Sequence, residues 1–552
     1  MSHYDDHRIA QYTDKGWWGQ TTLGDRFQHN AATHPDRVAL IDPSDREDWT
    51  TGSPSRLNYR DLNNAVEIWV GRFKSAGLSA GDIIVIQLPN IHELVVLLLA
   101  SFRSGVIASP VLIQFDENEL TQILDQLKPK WVITISRFKQ RELGRDLATL
   151  AGHRNIPCWV IDQLPNDIET DRGALEKVSA NATATICWTS GTEGSPKGVI
   201  RTHNQWLATG RIMAEGAQLK NGDKLLNTRP LVNMAAIGGS LCSWLACAGT
   251  LVLHHPLNMK LALKQIRDEG INITFMPPAF IVGLLKDSSL RYEADLSSLR
   301  ILGSGSAAIP DWAVLEFERT FNVSLINFFG SNEGIALVSA PREISDPVLR
   351  ARLFPRFGAP GYVWPSIPTS QELETRLVDI ETGAEINKSG MPGELRMRGS
   401  TIFSQYFDNE SATAAAFDEA GYYCSGDLFE IAGEGEMAAY YRFVGRCKEV
   451  IIRGGFNIAP AEIDELLSDH PAISEVAAFG YADDRLGERV GVAVVLKPDV
   501  TVTLADVTAF LKEKKIAIFK LPEHLMILDA LPRNGLLKVL RRELTVLYER
   551  TL

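Results

Sequence analysis

Hydroxyls, glycines and a lysine are concentrated in Thr189-Ser190-Gly191-Thr192-Glu193-Gly194-Ser195-Pro196-Lys197-Gly198. A glycine-bearing loop at the end of a strand turns backbone N–H groups toward an anion, and the hydroxyls and the ammonium add donors and charge. The alternation Thr183-Ala-Thr-Ile-Cys-Trp-Thr189 predicts the strand that such a loop would end. The stretch is a candidate phosphate site without being a standard P-loop, because Pro196 precedes Lys197 and Gly198 follows it where that loop has Gly-Lys-Ser/Thr. Taken alone, the same residues would also suit a flexible surface loop.

Other stretches carry groups that a phosphate site could use. Arg300-Ile-Leu-Gly-Ser-Gly-Ser-Ala-Ala-Ile-Pro310 reads as a strand running into a glycine turn, and Gly303, Gly305 and Ala308 even fit GxGxxA. A dinucleotide fold would then need an acidic residue closing the next strand, but Val323 to Phe328 runs into Phe329-Gly330 instead. A tight core turn is the other reading of these glycines. Asn327-Phe328-Phe329-Gly330-Ser331-Asn332-Glu333-Gly334 sets aromatic rings, which can stack on a base, beside a carboxylate after a turn. Mg2+ takes a few carboxylates together with phosphate oxygens, so Glu333 is a candidate ligand. An isolated Asn-Glu pair is also ordinary turn chemistry.

In their order along the chain these stretches resemble the motifs of the adenylate-forming superfamily, which includes acyl-CoA synthetases, adenylation domains and firefly-type luciferases. Tyr422-Tyr423-Cys424-Ser425-Gly426-Asp427 resembles its ribose motif, and Gly445 to Ile463 matches a long family motif at most positions. Leu531-Pro532-Arg533-Asn534-Gly535-Leu536-Leu537-Lys538 stands where the family has its catalytic lysine, with Leu537 replacing a glycine. The resemblance implies ATP, Mg2+ and coenzyme A as cofactors. It implies that Thr189, Ser190, Gly191 and Thr192 grip phosphate, that Ser306, Ala307 and Ala308 face adenine, and that Asn327, Phe328, Phe329, Gly330 and Ser331 complete the nucleotide site. Asn332 stands where threonine usually meets the α-phosphate, and a carboxamide can donate the same bond. Glu333 is the implied metal ligand, Asp427 and Arg446 the ribose contacts, and Lys197, Thr192 and Lys538 the catalytic groups. Lys448 is the implied hinge, and Gly454, Gly455 and Phe456 the loop for a thiol step.

The activity so implied is ATP-dependent activation of a carboxylic acid to an acyl adenylate, then transfer to coenzyme A, an acid-thiol ligase reaction. The acid wall implied by the resemblance is Asn233, Met234, Ile237 and Gly238, with Gly305 and Gly334. Amino-acid-activating relatives place an aspartate near Met234, and dihydroxybenzoate activators have His-Asn where this chain has Asn233-Met234. Burying a cation or a catechol against Met and Ala without partners would cost several kcal/mol. An acid with an apolar body, medium-chain, alicyclic or aryl, is therefore expected. A stand-alone enzyme loading a carrier-protein phosphopantetheine is the alternative, and a non-catalytic nucleotide- or acyl-binding relative is a third reading.

The elements that must position these groups form an α/β pattern. Short β-branched runs (Ile83 to Leu88, Val106 to Leu112, Trp131 to Ser136) alternate with helical patterns (Arg60 to Ala76, Glu117 to Leu127). The rhythm turns β-rich around Glu372 to Arg398 and restarts as a small α/β unit after Arg446. A large multi-subdomain part, 1–446, and a mobile lid, 447–552, are expected, since 552 residues exceed one compact core. A net charge of −12 and a pI near 5.5 argue against a general nucleic-acid binder. The six cysteines lack CxxC spacing, so neither zinc nor a disulfide framework is expected and a cytoplasmic setting is the simplest. The run Leu94 to Leu112, broken by Arg103, Gly105 and Pro110, falls short of the roughly 20 apolar residues of a membrane helix. No transmembrane segment or export signal is expected, and nothing in the sequence decides between a monomer and a homodimer.

Overall fold

The computed structural model describes residues 6–164, 175–189, 196–305, 309–453, 456–483, 485–514, 516–534 and 538–550. Ser190, Gly191, Thr192, Ser306, Ala307, Ala308, Gly454, Gly455 and Leu537 lie outside them.

The architecture is mixed α/β, as the alternation of runs implied, and is built on four sheets. A six-stranded sheet has the order Cys158–Val160, Trp131–Thr134, Ile83–Gln87, Ile107–Pro110, Thr183–Thr189, Lys197–Thr202. The helix His92–Ser104 between two of its strands is buried on nearly every face, which is why Leu94 to Ala100 reads as unbroken apolar sequence. Gly105 ends that helix in the left-handed region, at φ 76°.

An eight-stranded sheet follows, with a parallel centre in the order Ser324–Ser331, Ile301–Gly305, Ile273–Phe275, Lys224–Asn227, Thr250–Leu253. Ligands of parallel sheets sit beyond the carboxyl ends of the strands. Here those ends bring Asn227, Phe275, Gly305 and Ser331 to one edge. The expected glycine turn after Leu302 is absent up to Gly305. The strand continues through Gly303 and Gly305, because a Cβ at Gly303 would lie 2.3 Å from the Phe275 ring and one at Gly305 would lie 2.6 Å from the Phe328 carbonyl. The glycines permit close packing rather than chain reversal.

The β-rich stretch is a five-stranded sheet in the order Leu353–Pro355, Tyr440–Arg446, Tyr423–Ile431, Gly393–Gly399, Leu373–Val378. After Arg446 comes a short 3-10 turn, Cys447–Glu449, and the strand Ile451–Arg453 already belongs to the last sheet with Phe456–Ile458, Gly487–Leu496, Ile473–Asp483 and His524–Ile527. That sheet packs its own apolar core, in which Ile451, Ile463, Leu467, Val492, Val507 and Leu511 are buried. Arg352 of the large part reaches Glu465 of this last unit at 3.0 Å. Among the described residues, no helix is long and apolar enough to cross a membrane.

Candidate active site

The strands on either side of the candidate phosphate loop pair with each other. Thr183–Thr189 and Lys197–Thr202 pair antiparallel with Thr189 opposite Lys197, so Ser190 to Pro196 connect two adjacent strand ends. The first strand is anchored by the Trp188 indole, whose N–H donates to Ser109 Oγ at 2.9 Å. Gly198 has no room for a side chain, since a Cβ there would lie 2.9 Å from Ile186 Cγ2. The segment after Gln405 lies against this second strand: Phe407 N donates to Gly198 O at 2.7 Å, and Val199 and Tyr406 form an antiparallel bridge.

A second hairpin faces the first. Ser324–Ser331 and Gly334–Ser339 pair antiparallel with Ser331 opposite Gly334, which leaves Asn332 and Glu333 as the turn. The Asn332 carboxamide is held from both ends: its Oδ1 accepts from Met234 N at 2.9 Å and its Nδ2 donates to Trp188 O at 2.9 Å. One side chain thus ties the strand before the phosphate loop to the wall expected to hold the acid. Nδ2 carries a second hydrogen, which an oxyanion could accept.

Glu333 is 6% exposed. Its backbone carbonyl accepts from Phe403 N at 2.6 Å and from the buried Arg201 guanidinium at 3.2 Å. Its carboxylate Oε1 accepts from the Tyr406 hydroxyl at 2.9 Å, and among the described residues Oε2 accepts no hydrogen bond, so Oε2 is the atom that would face a cation. A single buried carboxylate held at one oxygen fits Mg2+, which keeps water and takes the rest of its ligands from phosphate. The one cluster of three candidate metal ligands among the described residues, Asp42, His92 and Glu93, lies elsewhere. Arg46 fills it, bonding to Asp42 at 2.8 Å and to Glu93 at 2.7 Å, so its guanidinium stands where a cation would.

Phe328 and Phe329 alternate across their strand. Phe328 meets Phe275 at 5.5 Å between ring centres, while Phe329 packs edge-on against Phe429 at 4.7 Å. Both rings stay half-buried. The Asn327 amide donates to Ala351 O at 2.9 Å and so braces the neighbouring helix Pro347–Arg352. Gly330 is exposed, and Gly334 packs under Ile402, whose Cδ1 lies 2.6 Å from where a Cβ would stand.

Asp427 lies directly opposite Arg446 in the paired strands, and the Arg446 Nε is 3.3 Å from its carboxylate. Gly426, at φ 70°, and the bond from Asp427 N to Ser425 Oγ at 3.1 Å shape the kink that presents the carboxylate. Burial pushes the Asp427 carboxyl up to about 6, against the opposing pull of Arg446 and Lys538. Lys538 therefore reaches this neighbourhood from the last unit of the chain. Its own pKa is lowered, first by burial and then by the like charge of Arg446, with Arg229 adding to it.

Residues that the sequence reading did not single out complete the cluster. Asn534 closes the loop bearing Lys538, its N–H donating to Lys538 O at 2.9 Å and its Oδ1 accepting from Lys538 N at 3.0 Å. The Asn534-Gly535 dipeptide is a turn signal that could have marked it. Arg229, whose pKa burial pushes down to about 10, reaches Gly305 O at 3.5 Å. Its carbonyl is held by Asn90 Nδ2 at 2.8 Å and Asn227 Nδ2 at 2.9 Å. An arginine ahead of Pro230 after an apolar strand was the available signal. Tyr406 gave no such signal, being one aromatic among several.

The expected acid wall begins with Asn233, whose side chain caps the short helix Met234–Ala236, and continues as a π-helix over Ile237–Cys242. Widened turns of this kind are frequent at functional sites. Met234 and Ile237 are buried, and the Met234 sulfur lies over Gly238, 2.8 Å from where a Cβ would stand. Beside them is an apolar recess lined by Pro110, Leu112, Phe115, Trp188, Val232 and Asn233. Lys448 is exposed in the Cys447–Glu449 turn, and Phe456 opens the strand Phe456–Ile458.

The chain is 29% identical over 548 residues to a medium-chain fatty-acid–CoA ligase of Escherichia coli K12, covering 96% of this chain and 91% of that protein. It is 28% identical over 557 residues to enterobactin synthase component E of the same organism, covering 99% of this chain and 97% of that one. The crystal structure of ATP-bound MatB from Rhodopseudomonas palustris overlays with a TM-score of 0.83 at 23% identity, over 97% of this chain and all of the other. The AMP-binding enzyme profile matches residues 27–407 and the AMP-binding enzyme C-terminal domain profile residues 462–538, and the chain belongs to the AMP-binding enzyme family.

Proposed function

We propose that the protein is an AMP-forming acid–CoA ligase, which uses ATP to convert a carboxylic acid into an acyl adenylate and then passes the acyl group to coenzyme A. The observation that carries the reading is the convergence of Lys538, from the last unit of the chain, on the Asp427–Arg446 pair of the large part. An ammonium delivered beside a ribose-type carboxylate is what nucleotidyl transfer requires, because the reaction needs positioned charge more than covalent help.

In this reading Asp427 accepts hydrogen bonds from the ribose hydroxyls and Arg446 neutralises the neighbourhood. A carboxylate oxygen of the acid attacks the α-phosphorus, forming the acyl–phosphate bond as the bond to pyrophosphate breaks. Lys538 bridges the incoming carboxylate and the α-phosphate oxygens, while Lys197 and the loop Ser190–Ser195 hold the departing pyrophosphate. Glu333 would hold Mg2+, which supplies charge neutralisation to the phosphate oxygens. Rotation about Lys448 then withdraws Lys538 and brings the Gly454–Phe456 segment toward the thiol. The sulfur attacks the acyl carbon and AMP leaves.

The buried Met234 and Ile237 and the apolar recess support an acid with an apolar body. Two relatives are named for acids of that kind, a medium-chain fatty-acid–CoA ligase at 29% identity and an indoleacetate–CoA ligase of Aromatoleum aromaticum also at 29%, while a third, at 26%, is named a 2,3-dihydroxybenzoate–AMP ligase. Asn233 and Asn332 add carboxamides to this surround, and Arg229 adds a charge, on the side from which Lys538 feels it. Carboxylate-dependent ATP–pyrophosphate exchange across a panel of acids tests the first half-reaction, and AMP release with coenzyme A or a carrier protein tests the second. Exchange with medium-chain or aryl acids followed by coenzyme A-stimulated turnover is expected. No exchange with any acid overturns the ligase reading, and stimulation only by a carrier protein replaces the thiol.

A further inference from the structure

Tyr406 touches both groups proposed to handle the phosphates, although nothing in its sequence setting marks it for that work. It is 6% exposed. Its hydroxyl donates to Glu333 Oε1 at 2.9 Å, and the Lys197 ammonium sits 5.1 Å from the centre of its ring. A cation over an aromatic face is held by the ring quadrupole. The two residues it joins come from different hairpins, one ending the phosphate loop and one following Asn332.

The backbone makes this placement firm. Phe407 N donates to Gly198 O at 2.7 Å, and the Gln126 amide donates to Phe407 O at 2.8 Å. Tyr406 N donates to Thr413 Oγ1 at 3.0 Å. At the other end of the same segment, Phe403 N donates to the Glu333 carbonyl at 2.6 Å, and the Phe403 ring packs against Tyr406 at 4.9 Å. One five-residue span, Phe403 to Phe407, therefore fixes Glu333 by backbone and by side chain and also lies along the strand that starts with Lys197.

We propose that Tyr406 is a positioning residue for nucleotidyl transfer, which holds the Glu333 carboxylate with one oxygen engaged and the other open while its ring face sets the Lys197 ammonium. The proposal rests on the roles given to Glu333 and Lys197 above. A phenylalanine at this position would fill the same volume and keep the ring under Lys197, yet would free the carboxylate to rotate. Groups bonded to the outer side of a metal ligand fix its orientation, and their loss weakens metal binding without removing any ligand. Filling the core alone would make Tyr and Phe equivalent here, and it would leave metal affinity unchanged.

Mn2+ takes the oxygen-rich sites that Mg2+ takes and is visible by electron paramagnetic resonance. Mn2+ binding is measured in the full-length protein with a non-hydrolysable ATP analogue, for the wild type, Tyr406→Phe, Tyr406→Leu, Glu333→Gln and the Tyr406→Phe/Glu333→Gln double variant. Tyr406→Phe is expected to weaken Mn2+ binding by about 10-fold while leaving metal-free analogue binding unchanged. Tyr406→Leu, which also removes the ring beneath Lys197, is expected to weaken metal-free analogue binding as well. The double variant should bind Mn2+ no more weakly than Glu333→Gln alone, because the hydroxyl acts through that carboxylate. Wild-type Mn2+ affinity in Tyr406→Phe, alongside a loss in Glu333→Gln, overturns the role of Tyr406 and leaves Glu333 as the ligand. Wild-type affinity in Glu333→Gln removes the metal reading of Glu333 and this proposal with it.

Discussion

Asp427 and Arg446 face each other in neighbouring strands, 3.3 Å apart, yet the carboxyl stays raised to about 6 because burial outweighs its partner's charge. Burying an ionisable carboxyl without full compensation costs free energy, and donors from a ligand would offset part of it. Its ionised form is poorly solvated until hydroxyl donors arrive.

Nucleotide affinity is therefore expected to depend on pH through Asp427. As pH falls from 7 through about 6, the carboxylate takes up a proton and loses its capacity to accept from both ribose hydroxyls. The KM for ATP should rise over that window, with a smaller change in kcat at saturating ATP. The linkage to folding runs the other way. A carboxyl raised from its ordinary 3.8 to about 6 contributes stability that is fully present below 3.8 and is lost as pH rises through about 6. Asp427→Asn should accordingly weaken ATP binding by about 10-fold, as expected for losing hydrogen bonds to a charged group, while its Tm at pH 8 stays at or above that of the wild type. An unchanged KM and an unchanged pH profile in Asp427→Asn would remove the ribose assignment.

Lys538→Ala should separate the half-reactions. On the proposed mechanism the ammonium acts in the first step only, so adenylate formation is expected to fall by about 100- to 1,000-fold, the scale for one preorganised charge donor. Thioester formation from supplied acyl adenylate should remain close to wild type. Single-turnover assays of each step measure the two effects, and equal losses in both contradict the alternation of the small domain.

Asn534 offers a milder version of the same experiment. It holds Lys538 through two hydrogen bonds, from Asn534 N to Lys538 O at 2.9 Å and from Lys538 N to Asn534 Oδ1 at 3.0 Å. Losing the Oδ1 acceptor costs about 1 kcal/mol, roughly fivefold in population of the closed loop. Asn534→Ala should lower the adenylation rate by about that factor, and Asn534→Asp, which keeps the acceptor, should recover most of it.

The large architecture was legible because periodicity reports burial. The helix Glu117–Leu127 and the strand Thr183–Thr189 stand where the apolar pattern put them, with four buried residues on one face of the helix and a nearly continuous buried run in the strand. The motif residues were legible as a series but not as a geometry. Asn332 could be read as an oxyanion donor, yet its bonds to Met234 and Trp188 depend on two segments about 100 to 150 residues away in sequence. Gly303 and Gly305 were misread as a turn, since glycine required for close packing against Phe275 and Phe328 looks the same in sequence as glycine required for chain reversal. Tyr406 meets Glu333 through a contact that no local spacing encodes, whereas Arg229 had a local signal in its place before Pro230 but its contact with Gly305 did not.

Asn332→Ala should impair both substrates together. The side chain is the direct tie between Trp188, one residue before the phosphate-loop threonine, and Met234 of the acid wall. Its removal leaves a backbone N–H and a carbonyl to find other partners, at about 1–3 kcal/mol if they stay buried. KM for ATP and KM for the acid are both expected to rise, by about 10-fold in kcat/KM, and a rise in only one would place Asn332 on that substrate alone. Asn332→Thr should restore the oxyanion donor without the tie, recovering ATP affinity more than acid affinity.

Met234 and Gly238 give the test of acid selection. The Met234 sulfur covers Gly238, and a Cβ at Gly238 would come within 2.8 Å of that sulfur and 2.7 Å of Thr209 Cγ2. The thioether can move because methionine is unbranched, whereas Thr209 belongs to the buried helix His203–Gly216 and cannot readily give way. Gly238→Ala should therefore displace Met234 into the space left for the acid and lower kcat/KM more for bulky acids than for short ones. Met234→Ala removes the cover and opens room. One methylene in an apolar pocket is worth about 1–3 kcal/mol of discrimination, so Met234→Ala should shift preference toward longer or bulkier apolar acids by about 10-fold. The double variant distinguishes a pocket effect from general damage. If Met234 is what Gly238→Ala pushes into the acid, Met234→Ala should rescue the part of the loss that is specific to bulky acids, while the part due to the Thr209 contact, common to every acid, should remain. A profile that merely adds the two changes, or an acid panel indifferent to both, would show that the acid binds away from this wall.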